Sequence, residues 1–177
     1  MNQLKIITKN EWLGSFARGH VQTHHPSKIT FHHQGPEDGF ENIHRIPCFE
    51  GAATIRKIQK EHMNKYGLAD IKYHYIIAPN GDIYEGRPPH YLGKHVSKNN
   101  RDNIGVMVIG NFCTETPTQA QIDSIKKLII YISFLFPRID IPKCIYGHRD
   151  FEFDICPGDS LYNIINDIKY GKISLFE

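Results

Sequence analysis

Strands alternating with helices along one 177-residue chain predict an α/β fold: a single domain with a central mixed β-sheet flanked by helices. Three observations carry that expectation. Asn103–Gly110 is a short, nearly continuous apolar run, as in a buried central strand. Asn80-Gly81 sits between two strand-like segments, a hairpin signal. Two long stretches also repeat their apolar residues at helical spacing. Glycines and prolines fall singly and no repeat is visible, so residues 1–177 are read as one domain, with 1–28 an N-terminal extension packing on it.

The elements follow in order. Lys28–His33 alternates Ile29 and Phe31 against Thr30 and His32, then meets the breakers Gly35-Pro36, so it reads as a strand ending in two imidazoles. From Glu50 to Tyr66, Ala52, Ile55, Ile58, His62, Met63 and Tyr66 mark one helical face, and Gly67 supplies the stop. Tyr73–Ile77 and Ile83–Glu85 are strands joined through Pro79-Asn80-Gly81-Asp82, with the Asn-Gly pair expected in a two-residue turn. Thr116 is the expected cap of the next helix, with Pro117 at its first position and Gln119 closing a capping box. That helix carries Ile122, Ile125, Leu128, Ile129, Ile132 and Leu135 on one stripe and stops at Pro137. Cys144–Tyr146 is a short strand leading into the loop Gly147–Gly158. Asp159 or Ser160 then caps a last helix running to about Tyr170.

Composition removes several function classes. With 21 basic against 19 acidic residues the net charge is +2, without the bias of a nucleic-acid binder. The strongest apolar run, Leu128–Phe136, is interrupted by Tyr131 and Ser133 and is too short to span a bilayer, so no membrane anchor is expected. Lys5, Lys9, Asn10 and Glu11 break up Met1–Leu13, which therefore lacks the apolar core of a secretory signal, and synthesis in the cytoplasm is expected. Cys48, Cys113, Cys144 and Cys156 are widely spaced and read mostly as reduced thiols.

Eleven histidines justify a search for a metal site. His148 and Cys156 lie eight apart on one loop, where both can reach the same ion. Alone the pair is equally well read as a turn histidine and a buried thiol. Joined to His32 or His33 it gives two nitrogens and a thiolate, the ligand set of a zinc site with one open position.

Several blocks then carry a family resemblance: Phe31-His32-His33, Tyr73–Ile77, Asn80–Arg87, Gly93-Lys94-His95, Asn103–Val106, Ile109–Phe112, and Gly147–Asp150 with Cys156–Asp159. In this order, over about residues 29–162, the chain resembles the type 2 N-acetylmuramoyl-L-alanine amidases, whose fold is shared by peptidoglycan recognition proteins and T7-lysozyme-like phage amidases. The resemblance implies zinc held by His32, His148 and Cys156, and a catalytic Tyr73. It implies hydrolysis of the amide between N-acetylmuramic acid and L-alanine in peptidoglycan. The alternative it also implies is a recognition protein that binds peptidoglycan without cleaving it. Strand alternation places His33 on the face of Ile29 and Phe31, in a packing role or as a hydrogen-bonding neighbour of the ligands. His95 and Asn100 match groove positions expected to touch peptide or sugar, while Arg87 either pairs with a stem carboxylate or pins the hairpin. Arg149 and Asp150 are expected to pair with each other, and His62 to be a satisfied core histidine.

The chain departs from the family at two places. Asp154 stands where related enzymes carry Lys or Thr, two residues before the cysteine. It is expected to turn outward, to act as a proton acceptor, or to depress activity. Pro88-Pro89 replaces the pair that reports stem-peptide preference, so that preference does not transfer. The expected partner is peptidoglycan or a muropeptide met by a monomer, after release or export, or as imported wall fragments; no nucleic-acid partner is expected.

Overall fold

The computed structural model describes residues 4–35 and 49–176, so Pro36 and Cys48 lie outside the described residues. Among the described residues six strands form one sheet: β1 (Ile6–Ile7), β2 (Lys28–His33), β3 (Tyr75–Ile77), β4 (Ile83–Glu85), β5 (Asn103–Val108) and β6 (Ile145–Gly147). Their spatial order is β1-β4-β3-β5-β2-β6, and of these strand pairs only the β3–β4 hairpin is antiparallel. The helices are α1 (Ala52–Asn64), α2 (Gln119–Leu135) and α3 (Asp159–Lys169). The mixed sheet flanked by helices is therefore the architecture that the sequence predicts.

Side-chain alternation divides the core into two layers. Ile29, Phe31, Ile104, Val106 and Val108 face Ile125, Leu128, Ile132, Leu161 and Ile165 of α2 and α3. Ile76, Tyr84 and Met107 face Ile55 and Ile58 of α1 on the other side, together with Trp12 and Ile71. β5 is buried along its whole length, which explains why its sequence reads as apolar without alternation.

Four local details differ from expectation, one being that α3 is capped by Gly158 and not by Asp159 or Ser160. The hairpin is present, but its turn has three residues: Gly81 N–H donates to Ala78 O, and Ala78 N–H donates to Asp82 O. Only Gly81, at φ 87°, takes the left-handed conformation, so Asn80 is spared the positive φ that a two-residue turn demands. The cap of α2 is Thr118, two residues later than expected, with Gln121 closing the capping box. Thr118 Oγ1 also donates to Pro79 O, and Ser124 Oγ to Gly81 O, so the register of the cap is set by docking on the hairpin. β3 begins at Tyr75, leaving Tyr73 in the loop before it.

The N-terminal segment was not assigned a strand from the sequence. β1 nevertheless pairs in parallel with β4, and Trp12 is fully buried with its indole N–H donating to Glu85 O. Behind it lies Asp70, whose carboxylate is 0% exposed and receives Lys9 Nζ, Gln59 Nε2 and Ile71 N–H. A buried carboxylate that loses its cation is left uncompensated. Lys9→Met is expected to destabilise the protein by about 3 kcal/mol, read as a lower urea midpoint at unchanged slope. An unchanged midpoint would show that the pair contributes nothing to stability.

Candidate metal centre

Four elements converge at the C-terminal end of β2. The strand puts His32 on the α1 side of the sheet, beside Gly105 and Met107 of β5, and turns His33 to the other face. There His33 Nδ1 accepts Phe112 N–H at 3.3 Å and its ring stacks on Phe112, the packing role expected for it. β6 ends at Gly147 and delivers His148 in a single 3-10 turn, and the loop returns Cys156 just before α3.

One ligand atom from each of His32, His148 and Cys156 lies within 4.8 Å of the others. His32 Nδ1 stands 3.7 Å from Cys156 Sγ, close to the ~3.6 Å that separates nitrogen and sulfur around a tetrahedral zinc. His32 and His148 rings are 4.7 Å apart, centroid to centroid.

Hydrogen bonds fix which nitrogen of His32 is available. His95 Nε2–H donates to Asn103 O at 3.2 Å, because a carbonyl can only accept. Its Nδ1 is then an acceptor, and His32 Nε2–H donates to it at 2.9 Å. The His32 Nδ1 lone pair is left pointing toward Cys156. Burial keeps both rings neutral, pushing His95 down to about 3 and His32 well below the ordinary imidazole range. Burial also drives the Cys156 thiol up to about 12, so binding a metal would have to draw off its proton. Two imidazoles and a thiol form a donor set that suits zinc.

The remaining site residues fall into distinct places. Tyr73 is half-buried on the wall of the same cleft, about 260 Å³ in volume, its ring 5.2 Å from His32. Asp154 is exposed at the rim of the cleft, where Oδ1 accepts Cys156 N–H at 2.8 Å and Oδ2 lies 3.3 Å from His148 Nδ1. Asn100 is buried beneath the loop, its Oδ1 receiving the N–H groups of His95 and Val96, so it shapes the groove floor. Arg87 is 6% exposed and gives its guanidinium to the carbonyls of Ile71, Leu92 and Asp70. That geometry is the pinning role, the other of the two expected for it, and it leaves Arg87 out of the cleft.

Arg149 and Asp150 do not pair with each other as expected. Arg149 pairs with Asp159 at 2.7 Å and with Ile155 O, whereas Asp150 caps Gly147 N–H and receives the Tyr162 hydroxyl. Both shape the loop, through separate partners. His62 is satisfied, its Nδ1 accepting Lys72 N–H at 3.2 Å. Cys113, Cys144 and Cys156 are free thiols.

Sequence reasoning missed Glu152, whose Oε2 is 3.5 Å from His148 Nε2 and whose Oε1 receives Ser97 N–H. Its spacing of four from His148 and two from Asp154 was the available signal. It also gave no role to His24, which stacks at 5.5 Å on His74 next to His95. Gly105 was missed too: a Cβ there would sit 2.5 Å from His95 Cγ, so only glycine leaves room for the ring that holds His32. Gly105→Ala should displace His95, break its bond to His32 and weaken metal binding about tenfold or more, measured by chelator competition with zinc. Unchanged affinity would mean that His95 does not orient the ligand.

Comparisons with known proteins give the chain its relatives. The sequence model of the N-acetylmuramoyl-L-alanine amidase family matches residues 22–159. Peptidoglycan-recognition protein SC2 of Drosophila melanogaster is 34% identical over 163 residues, covering 90% of this chain and 84% of that protein. The Sus scrofa N-acetylmuramoyl-L-alanine amidase is 30% identical over 135 residues, covering 72% of this chain but only 23% of that protein's length. Among solved structures, Drosophila PGRP-SD superposes with a TM-score of 0.79 at 26% identity, covering 93% of this chain and 94% of that one. The amidase LysC of Clostridium intestinale gives 0.73 at 25% identity, with 92% and 96% covered. With the family matched across most of its length, and a recognition-protein fold built around two imidazoles and a thiol, the chain belongs to the N-acetylmuramoyl-L-alanine amidase family.

Proposed function

We propose that the protein is a zinc-dependent amidase that cleaves the bond between the lactyl group of N-acetylmuramic acid and L-alanine in peptidoglycan. The observation that carries this reading is the convergence of His32 Nδ1, His148 and Cys156 Sγ on one side of a cleft whose wall holds Tyr73. Zinc held there would supply Lewis acidity toward the scissile carbonyl and activate water for the attack.

The chain's own residues do the rest. His32 and His148 offer imidazole nitrogens and Cys156 a thiolate, and His95 keeps the His32 ring in its ligating orientation through the 2.9 Å hydrogen bond. The Tyr73 phenol can donate to the oxyanion that develops on the substrate carbonyl, where one such donor is typically worth about 100- to 1000-fold in rate. Asn100 holds the backbone of His95 and Val96 and so sets the floor of the groove along which the glycan or stem peptide would lie. A tyrosine-to-phenylalanine mutant of Drosophila PGRP-LB has been solved in complex with tracheal cytotoxin, at 26% identity to this chain, which supports a peptidoglycan-derived ligand for the cleft.

One observation favours a second reading, a peptidoglycan-binding protein without catalysis. Asp154 brings a carboxylate to the cleft, where an acceptor repels a forming oxyanion. The deciding experiment incubates zinc-supplemented protein with purified diaminopimelate-type and lysine-type peptidoglycan and measures new L-alanine amino termini. The amidase reading expects release by the parent, loss to background with Cys156→Ala, and a fall of about 100-fold or more with Tyr73→Phe. Binding to the wall material without release would select the second reading.

A further inference from the structure

We propose that the N-terminal extension and α1 together form a docking surface for an anionic phospholipid bilayer, on the side of α1 away from the metal cleft. The proposal stands apart from the zinc reading and needs no metal.

A cleft of about 470 Å³ lies between the two segments. Leu13 and Arg18 line it from the extension, and Arg56, Lys57, Lys60 and Asn64 line it from α1. Four cations therefore meet in a chain whose net charge is only +2, and among the described residues no carboxylate lines the cleft with them. With successive residues turned by about 100°, Arg56, Lys57, Lys60 and Asn64 share one arc of the helix surface. His62, which lines the metal cleft, projects from the opposite face.

The acidic residues of these segments are engaged elsewhere. Glu11 accepts the N–H and the hydroxyl of Thr8, and Glu61 pairs with Lys65 at 3.2 Å. None of the four cations forms an ion pair among the described residues. Arg56 Nη1 donates to Trp12 O at 2.8 Å and Arg18 Nη1 to Asn64 Oδ1 at 3.2 Å. One nitrogen thus holds each guanidinium at the cleft, while its other N–H groups remain for phosphate oxygens.

Charge complementarity calls for an anion, and two apolar side chains decide which kind. Leu13 is 75% exposed and sits at φ 58°, a left-handed conformation that is costly for an L-residue. The turn that imposes it is closed by the N–H groups of Trp12, Leu13 and Gly14 on the carbonyls of Thr8, Asn10 and Lys9, and is anchored by the fully buried Trp12 ring. Leu13 is therefore held out at the cleft. Phe16, three residues on, is 81% exposed at the neighbouring cleft. A soluble phosphate polymer would use the cations and leave both apolar side chains in water. A bilayer takes the cations at its headgroups and the apolar side chains just beneath them. The metal cleft would then be turned away from the lipid and left open to substrate.

The test is flotation of the full chain with vesicles of phosphatidylglycerol and phosphatidylcholine in equal parts, against vesicles of phosphatidylcholine alone. Binding is expected to the anionic vesicles only, and to weaken as salt is raised. Arg56→Gln, Lys57→Gln and Lys60→Gln should each weaken it about fivefold, and Leu13→Ser about tenfold. Lys126→Gln with Lys127→Gln removes charge from α2, across the sheet, and should leave binding unchanged. Equal loss from that α2 variant would reduce the effect to net charge and overturn the surface, as would equal binding to both vesicles or none to either. Unchanged binding by Leu13→Ser, with soluble polyglycerol phosphate displacing the vesicles, would overturn the bilayer and leave the cleft to a phosphate polymer.

Discussion

The hydrogen bond from His32 Nε2–H to His95 Nδ1 is the contact on which the arrangement of the site depends. An imidazole at a strand end can rotate and can carry its proton on either nitrogen. Here both freedoms are removed by a chain of bonds that begins at a carbonyl, Asn103 O, which has no proton to give. The polarity of that carbonyl passes through His95 and leaves a lone pair on His32 Nδ1. The chain needs the sheet for its geometry: Asn103 and Gly105 belong to β5, which pairs residue by residue with β2. Gly105 also gives its N–H to His74 Nδ1 and so anchors a second ring beside His95.

Burial makes this arrangement chemically useful. His32, His33, His62, His74 and His95 are all driven below their ordinary pKa by desolvation, so they stay neutral acceptors or donors rather than cations. A cluster of cationic rings at such close spacing would repel itself and any metal. The neutral cluster does neither. The thiol at Cys156 pulls the other way, because desolvation favours its protonated form. A divalent ion reverses that preference, which couples metal binding to proton release at this one atom.

Much of this was legible in the sequence because it rests on local rules. The period of two on Lys28–His33 is enough to separate His32 from His33, and the two do point to opposite faces. The apolar run of β5 and the helical stripe of α2 likewise appear where the patterns place them, except that Leu135 at the end of the stripe is exposed. What the sequence concealed depends on distant contacts. Thr118 is preferred to Thr116 as a cap because it reaches the hairpin carbonyl of Pro79. Arg87 carries a charge that suggests a ligand, yet three backbone carbonyls distant in the loop claim it. β1 is two residues long and shows no alternation to detect. Asp154 was visible as a departure from the family, but its direction was not, since that is set by its bond to Cys156 N–H.

The central claim is that His32, His148 and Cys156 form a metal centre. The most direct measurement is an anomalous difference map, collected at the zinc edge, from crystals grown with one equivalent of zinc. A single strong peak is predicted within about 2.0 to 2.3 Å of His32 Nδ1, one ring nitrogen of His148 and Cys156 Sγ. A map with no peak between these three atoms, or with zinc bound only at surface carboxylates, would contradict it.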